Sequence, residues 1–65
     1  MDVAKKIKLV LVEEDLNINS LAIKLNTSHQ NLSAKFRRNN FSVKEMEDIA
    51  AALNYELKID FIKKE

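Results

Sequence analysis

The sequence predicts a mainly α fold, in which four helices are followed by one C-terminal β-strand. Apolar residues recur every three or four positions as far as residue 54, which is the period of an α-helix, and the remaining residues alternate, which is the period of a strand. With 65 residues, of which 46% are hydrophobic, the chain forms a single domain, 1–65. Such a domain buries only roughly 60% of its unfolded surface and is therefore marginally stable alone. Because the sequence has no Cys, disulfides cannot stabilise it, and oligomerisation is the source of additional stability that remains.

Asp2 and Asn17 are the predicted N-caps of the first two helices, because Asp and Asn side chains accept bonds from the free amides at a helix start. These helices span about residues 3–14 and 18–25. The stretch "KIKLVLV" also alternates, so residues 6–12 fit a strand as well, although the length of the window favours a helix. The apolar faces consist of Val3, Ile7, Val10 and Leu11 in the first helix, and of Leu21, Ala22 and Leu25 in the second.

Two capping boxes mark the starts of the third and fourth helices. In this motif a Ser or Thr caps the helix, and a Glu or Gln three residues later bonds back to it. Thr27 and Gln30 form the first box, and Ser42 and Glu45 form the second. The two helices span about 28–37 and 43–53, with apolar stripes made of Leu32 and Phe36 in the third, and of Val43, Met46, Ile49, Ala50 and Leu53 in the fourth.

The turns contain no glycine and no proline, because the sequence has neither. Asp15, Asn26 and Asn54 stand where helices end, and Asn is the residue other than Gly that best tolerates the left-handed conformation found there. Asn39 and Asn40 form the loop before the fourth helix. The absence of Gly also excludes the Gly-rich phosphate loops of Walker-type and Rossmann-type nucleotide binding.

The C-terminal stretch "YELKIDFI" alternates between apolar and charged residues and predicts a strand over about 55–62. A lone strand exposes unpaired backbone groups, and the acids on either side of Lys58 let opposite charges face each other in an antiparallel pair. We therefore expect a homodimer joined by these strands. The alternative is a monomer whose strand folds back on its own helices or pairs with residues 6–12. The expected interface consists of Tyr55, Leu57, Ile59 and Phe61.

The charges are unevenly distributed along the chain. Residues 16–44 hold five cations and no carboxylate, whereas the segments before and after carry net charges of −1 and −3. A surface that meets nucleic-acid phosphates excludes carboxylates, since each would repel the polyanion. The alternative interpretation is that these five cations are ordinary solvated charges.

The second and third predicted helices meet the requirements of a helix-turn-helix. Ala22 is small where the helices approach most closely, Asn26 makes the turn, and Leu32 holds the third helix onto the second. The stretch "LNINSLAIKLNTSHQNLSAKFRRNNFSVKEMEDIAAALN" resembles the Cro/CI-type (XRE) family of lambda-repressor-like regulators, with "MEDIAAAL" as its second matching segment. The resemblance covers about residues 3–54. This sequence departs from the family pattern at three positions, with Asn26 in place of Gly, Ile18 in place of a phosphate-binding Gln, and Lys35 at an often apolar position.

The resemblance implies that the third helix lies in the major groove of double-stranded DNA, with its outward side chains on base edges. Gln30 suits a bidentate contact with adenine, and His29 can donate to guanine. The expected base contacts are Ser28, His29, Gln30 and Ser33. The expected phosphate contacts are Lys35, Arg37, Arg38, Asn39 and Asn40.

These observations predict a transcriptional regulator, specifically a repressor of a near-palindromic operator. The alternative is a protein-interaction module, such as an antitoxin or adaptor subunit, in which the helix-turn-helix is only a scaffold. One His, no Cys and no acid near His29 in the sequence argue against an enzyme, and no cofactor, metal or small-molecule ligand is expected. Without a run of roughly 20 apolar residues or a signal peptide, we expect a cytoplasmic, nucleoid-associated protein that does not bind membranes.

Overall fold

The computed structural model describes residues 2–64, in which four α-helices account for all the regular secondary structure. Helix α1 spans Val3–Glu13, α2 spans Ile18–Lys24, α3 spans His29–Arg38 and α4 spans Val43–Ala52. The mainly α fold is therefore confirmed, and each helix lies within one residue of its predicted bounds. Residues 6–12 lie inside α1, so the strand alternative for that segment is wrong.

Three of the four predicted N-caps are confirmed. The Asp2 carboxylate accepts the Lys5 amide at 3.1 Å, and the Asn17 side chain accepts the Ser20 amide at 2.8 Å. At α4 both halves of the capping box are present: the Glu45 amide donates to Ser42 Oγ at 3.1 Å, and the Ser42 amide donates to Glu45 Oε1 at 2.8 Å. These bonds satisfy amides that have no partner inside the helices.

The predicted capping box of Thr27 and Gln30 is wrong. The N-cap of α3 is Ser28, whose Oγ accepts the Asn31 amide at 3.1 Å, so the helix begins at His29. Thr27 is already used by the preceding helix, because its amide donates to the Ala22 carbonyl at 3.0 Å and closes α2. The cap of α3 therefore falls on the next residue.

Each helix ends in a Schellman motif built on a residue with positive φ. In α4, for example, the amide of Asn54 donates to the Ala51 carbonyl at 3.1 Å, and the amide of Tyr55 donates to the Ala50 carbonyl at 2.8 Å. The same pair of bonds closes the other three helices. The four residues with positive φ are Asp15 (57°), Asn26 (57°), Asn39 (53°) and Asn54 (61°).

The core lies between the four helices, with Leu21 completely buried at its centre and Ala22 beside it. A four-residue connection joins α2 to α3, and α2 contacts both α3 and α4. The ring of Phe36 meets Phe41 edge-on, with 5.4 Å between the ring centroids. The buried side chains are Ala4, Leu11, Leu21, Ala22, Leu32, Phe36, Ile49 and Leu53.

Two details of the predicted core are wrong. Val43, which was expected on the inner face of α4, is 53% exposed and stands directly after the Ser42 cap. Ala4, which the periodicity did not single out, is buried in the first turn of α1.

The strand predicted over about 55–62 is not present in the single chain, where residues 55–64, the C-terminal segment, have no regular secondary structure. Its start is held by the Tyr55 hydroxyl, which donates to Glu14 Oε2 at 3.2 Å. A strand requires a partner for its backbone groups, and α1 cannot supply one because its own groups are bonded within the helix.

Substitution by Gly should affect the free energy of unfolding differently at Asn39 and at Asn54. Both occupy a left-handed position that Gly enters at no steric cost, but Asn39 also accepts the Ala4 amide at 2.9 Å through its Oδ1. In urea denaturation, Asn54→Gly should leave the free energy of unfolding unchanged or raise it by up to about 1 kcal/mol. Asn39→Gly should lower it by about 1 kcal/mol.

Asn39→Asp is the matched control, because it keeps the Oδ1 acceptor. It should retain more stability than Asn39→Gly. Equal stabilisation by both Gly variants would contradict a structural role for the bond between Asn39 and Ala4.

Candidate nucleic-acid interface

Helix α3 is divided lengthwise into a buried stripe and a polar face. Leu32 and Phe36 are each 5% exposed and face the core. The residues predicted to contact bases lie at the start of the helix, away from that stripe. Ser28, His29 and Gln30 are exposed, and Ser33 is half-buried. The sequence-based assignment of this face agrees with the geometry.

The polar face contains one contact between two side chains and one side-chain amide that makes no hydrogen bond to the described residues. Ser33 Oγ lies 3.4 Å from His29 Nδ1, one helical turn away. The Gln30 side chain makes no hydrogen bond to any residue in 2–64, so both its carbonyl oxygen and its NH₂ group are available to a ligand. Because Ser28 is the cap, Gln30 is free of the capping role that the sequence suggested.

The end of α3 carries two exposed arginines, Arg37 and Arg38. Neither forms an ion pair with any residue described by the structure, in which the two salt bridges are those of Lys35 with Glu45 and of Lys44 with Asp48. Asn40, the next predicted phosphate contact, is also exposed. These three residues present positive charge and amide donors beside the polar face of α3.

Lys35 differs from the other predicted phosphate contacts because it is paired within the protein. It is half-buried, and its ammonium group forms a salt bridge with Glu45 on α4. The hydrogen bond from Lys35, together with that from the Ser42 amide, lowers the pKa of Glu45 to about 2. The sequence suggested that no carboxylate would neutralise this region, and the tertiary fold brings one to Lys35.

Asn39 is also engaged by the fold. Its Oδ1 accepts the amide of Ala4, so it joins the end of α3 to the start of α1. The side-chain oxygen is therefore committed to the protein, and only the NH₂ group remains for a ligand. Asn39 thus has a structural role beyond the prediction that Asn39 and Asn40 form a loop.

Two grooves bring Lys8, Asn19 and Lys24 to this surface, and the sequence assigned none of these three to it. A groove of about 540 Å³ places Lys8 and Asn19 beside His29. A second groove, of about 790 Å³, lies between α2, α3 and α4 and has Lys24 and Arg38 on its lining. Lys8 lies on α1 and Asn19 lies at the start of α2, so both come from helices other than α3.

No family model, no curated protein and no solved structure matches this chain. Within residues 2–64, no helix has the length and apolar character needed to cross a membrane. The same residues contain no group of three or more His, Cys, Asp or Glu side chains that could hold a metal ion.

The ion pair of Lys35 and Glu45 predicts a pH dependence of stability. The pKa of Glu45 is about 2 in the folded protein against 4.5 for an ordinary Glu. The contribution of the Glu45 carboxylate to the free energy of unfolding is therefore present above pH 4.5 and is lost as the pH falls towards 2. Glu45→Gln keeps a capping-box side chain but removes the charge. Denaturant titrations should show a smaller loss of stability over this pH interval in Glu45→Gln than in the wild type.

Glu47→Gln is the control, since it removes a carboxylate from the same helix without affecting Lys35. It should retain the pH dependence of the wild type. An identical pH dependence in the wild type and in Glu45→Gln would contradict the salt bridge.

Proposed function

We propose that this chain is a sequence-specific DNA-binding regulator of the Cro/CI-type helix-turn-helix family, in which α3 is the recognition helix and binding to an operator represses transcription. The observation that carries the proposal is the division of α3. One side is buried, and the other presents hydrogen-bonding side chains followed by Arg37 and Arg38, which form no ion pair within residues 2–64. As a regulator bound to DNA, the protein acts in the cytoplasm, on the nucleoid.

Base recognition is assigned to the first turns of α3. A helix fits the major groove of B-DNA, where its N-terminal side chains reach base edges. Gln30 has both its carbonyl oxygen and its NH₂ group free, which is what a bidentate contact with adenine N6 and N7 requires. Ser28, His29 and Ser33 complete this face, and Ser33 Oγ lies 3.4 Å from His29 Nδ1.

Phosphate binding is assigned chiefly to Arg37, Arg38 and Asn40. Their exposure and the absence of an ion pair to either arginine within residues 2–64 leave their charges and donors to the polyanion. Lys35 and Asn39 contribute less than the sequence implied, because the fold uses their polar atoms. Lys8 and Asn19 extend the surface on the side of His29.

The regulator acts as a homodimer joined through Tyr55, Leu57, Ile59 and Phe61 of the C-terminal segment. The exposed surface of the chain is 5381 Å², whereas a folded monomer of its mass exposes roughly 4,200 Å². The excess of about 1,100 Å² exceeds the roughly 800 Å² that each partner loses in a standard interface. Two recognition helices then meet half-sites about 34 Å apart on a near-palindromic operator.

A gel-shift titration against genomic fragments at two salt concentrations tests the proposal. Two arginines from each of two subunits release about four counterions, so the affinity should fall about 100-fold between roughly 50 and 200 mM salt. Weak binding that does not depend on salt would contradict the proposal. It would favour the alternative, a protein-interaction module that uses α2 and α3 as a scaffold.

The double variant Arg37→Ala and Arg38→Ala should weaken binding to all DNA sequences alike and reduce the salt slope by about 1 for each lost contact. The matched control replaces Lys63 and Lys64 by Ala, which removes the same charge from the exposed C-terminal segment. An unchanged slope in the arginine variant, or an equal loss in the control, would show that the arginines do not face DNA.

Gln30→Ala should cost about 1–3 kcal/mol of binding free energy at the cognate site and should leave non-specific binding unchanged. Gln30 makes no hydrogen bond to the described residues, so its loss should not alter the thermal midpoint of unfolding. Competition titrations with specific and random duplexes measure both affinities. A parallel fall of the two affinities would mean that Gln30 does not read a base.

A further inference from the structure

The C-terminal segment has a backbone that is almost free of hydrogen bonds. After the Tyr55 amide, which closes α4, none of its backbone groups bonds to the backbone of another residue in 2–64. One amide, that of Phe61, donates to the neighbouring Asp60 carboxylate at 2.8 Å. Such a row of unpaired N–H and C=O groups is a template for pairing with another strand.

Among the apolar side chains of this segment, those near its end are the most exposed. Leu57 is 36% exposed and Ile59 is 54% exposed. Phe61 is 98% exposed. No residue in 2–64 covers this aromatic ring, so its burial in this arrangement requires a second molecule.

We propose that the second molecule is another copy of this chain, paired antiparallel in the one register that places Ile59 on the two-fold axis. Ile59 then faces Ile59 of the partner subunit, and Leu57 faces Phe61 of the partner subunit. Lys58 faces Asp60 of the partner subunit twice, once on each side of the axis. The proposal rests on the dimer of the proposed function and specifies its geometry.

Strand geometry eliminates most of the other registers. Residues directly opposite each other in an antiparallel pair point to the same face of the sheet. If the axis fell between two residues near the middle of the segment, most apolar side chains would face a charged or polar one, because the sequence alternates from Tyr55 to Phe61. The axis must therefore pass through a residue, and the candidates near the middle of the segment are Leu57, Lys58 and Ile59.

The charges exclude an axis through Lys58. That register places Lys58 opposite its own copy and Glu56 opposite Asp60 of the partner subunit, so that all three charged contacts are repulsive. An axis through Leu57 or through Ile59 instead gives two attractive contacts and no repulsive one. In the first case Lys58 faces Glu56 of the partner subunit, and in the second it faces Asp60 of the partner subunit.

The exposure of Phe61 decides between these two registers. With the axis at Leu57, Phe61 lies opposite Leu53 of the partner subunit, a buried residue at the end of α4, beyond the start of the partner's strand. With the axis at Ile59, Phe61 lies opposite Leu57 inside the strand pair. Of these two registers, only the second places Phe61, the most exposed large apolar side chain within residues 2–64, opposite another residue of the strand.

Single cysteine variants test the register, because the natural sequence contains no Cys. In an antiparallel pair, only the residue on the axis lies within disulfide distance of its own copy. Leu57→Cys, Lys58→Cys and Ile59→Cys are each oxidised in the full-length protein, with Lys63→Cys as the control. At four residues from the axis, two copies of position 63 are separated by about 27 Å.

Rapid and complete cross-linking of Ile59→Cys, with Leu57→Cys and Lys58→Cys no faster than the control, is the expected result. Fastest cross-linking at Leu57→Cys or Lys58→Cys would overturn the register and leave DNA binding untouched. A wild type that sediments as a monomer at about 50 µM would overturn both the register and the dimer. Salt-independent DNA binding would instead contradict the regulator function, whatever the cross-linking pattern.

A charge exchange provides a second measurement that does not alter Ile59. Lys58→Asp turns both attractive contacts into repulsive ones and should weaken the dimer about tenfold. Adding Asp60→Lys restores both contacts and should bring the dissociation constant to within about twofold of the wild type. In the register centred on Leu57, the second substitution would rescue nothing, and that outcome would overturn the proposal.

Discussion

Because the chain has no glycine, every helix ends on an Asp or Asn held in the left-handed conformation. The helices are only seven to eleven residues long and are marginal alone, so their stability comes from mutual packing. Packing in turn depends on sharp reversals after α1, α2 and α3. Each left-handed residue provides such a reversal and satisfies carbonyl groups at the helix end. The complete burial of Leu21 follows from these reversals.

Helix α3 depends on the same constraint and also presents the candidate interface. Asn39 makes its final turn and bonds to Ala4, while Lys35 joins the middle of the helix to Glu45 on α4. Both links take polar groups away from a nucleic-acid partner. The same two links hold α3 in one position against α1 and α4. A helix that is already ordered loses less conformational entropy when it binds a partner.

The C-terminal segment has few backbone hydrogen bonds and little cover for its apolar side chains. It leaves α4 at Tyr55, which is held to Glu14, and continues with apolar side chains and backbone groups that have few partners. A 65-residue chain has too few residues to surround such a segment. Self-association would supply both the backbone partners and the apolar cover. It would also set the separation between two copies of α3, which connects the assembly of the protein to its proposed function.

The sequence by itself determined the four helices, three of their N-caps and the polar face of α3, because these features depend on residues within one or two helical turns of each other. The N-cap of α3 could not be assigned correctly, since Thr27 serves the end of α2 and this depends on the length of the turn. Only the tertiary structure decided that Lys35 is neutralised by Glu45 and that Asn39 is bonded to Ala4. These partners are far apart along the chain, and only the packing of the helices brings their atoms within bonding distance.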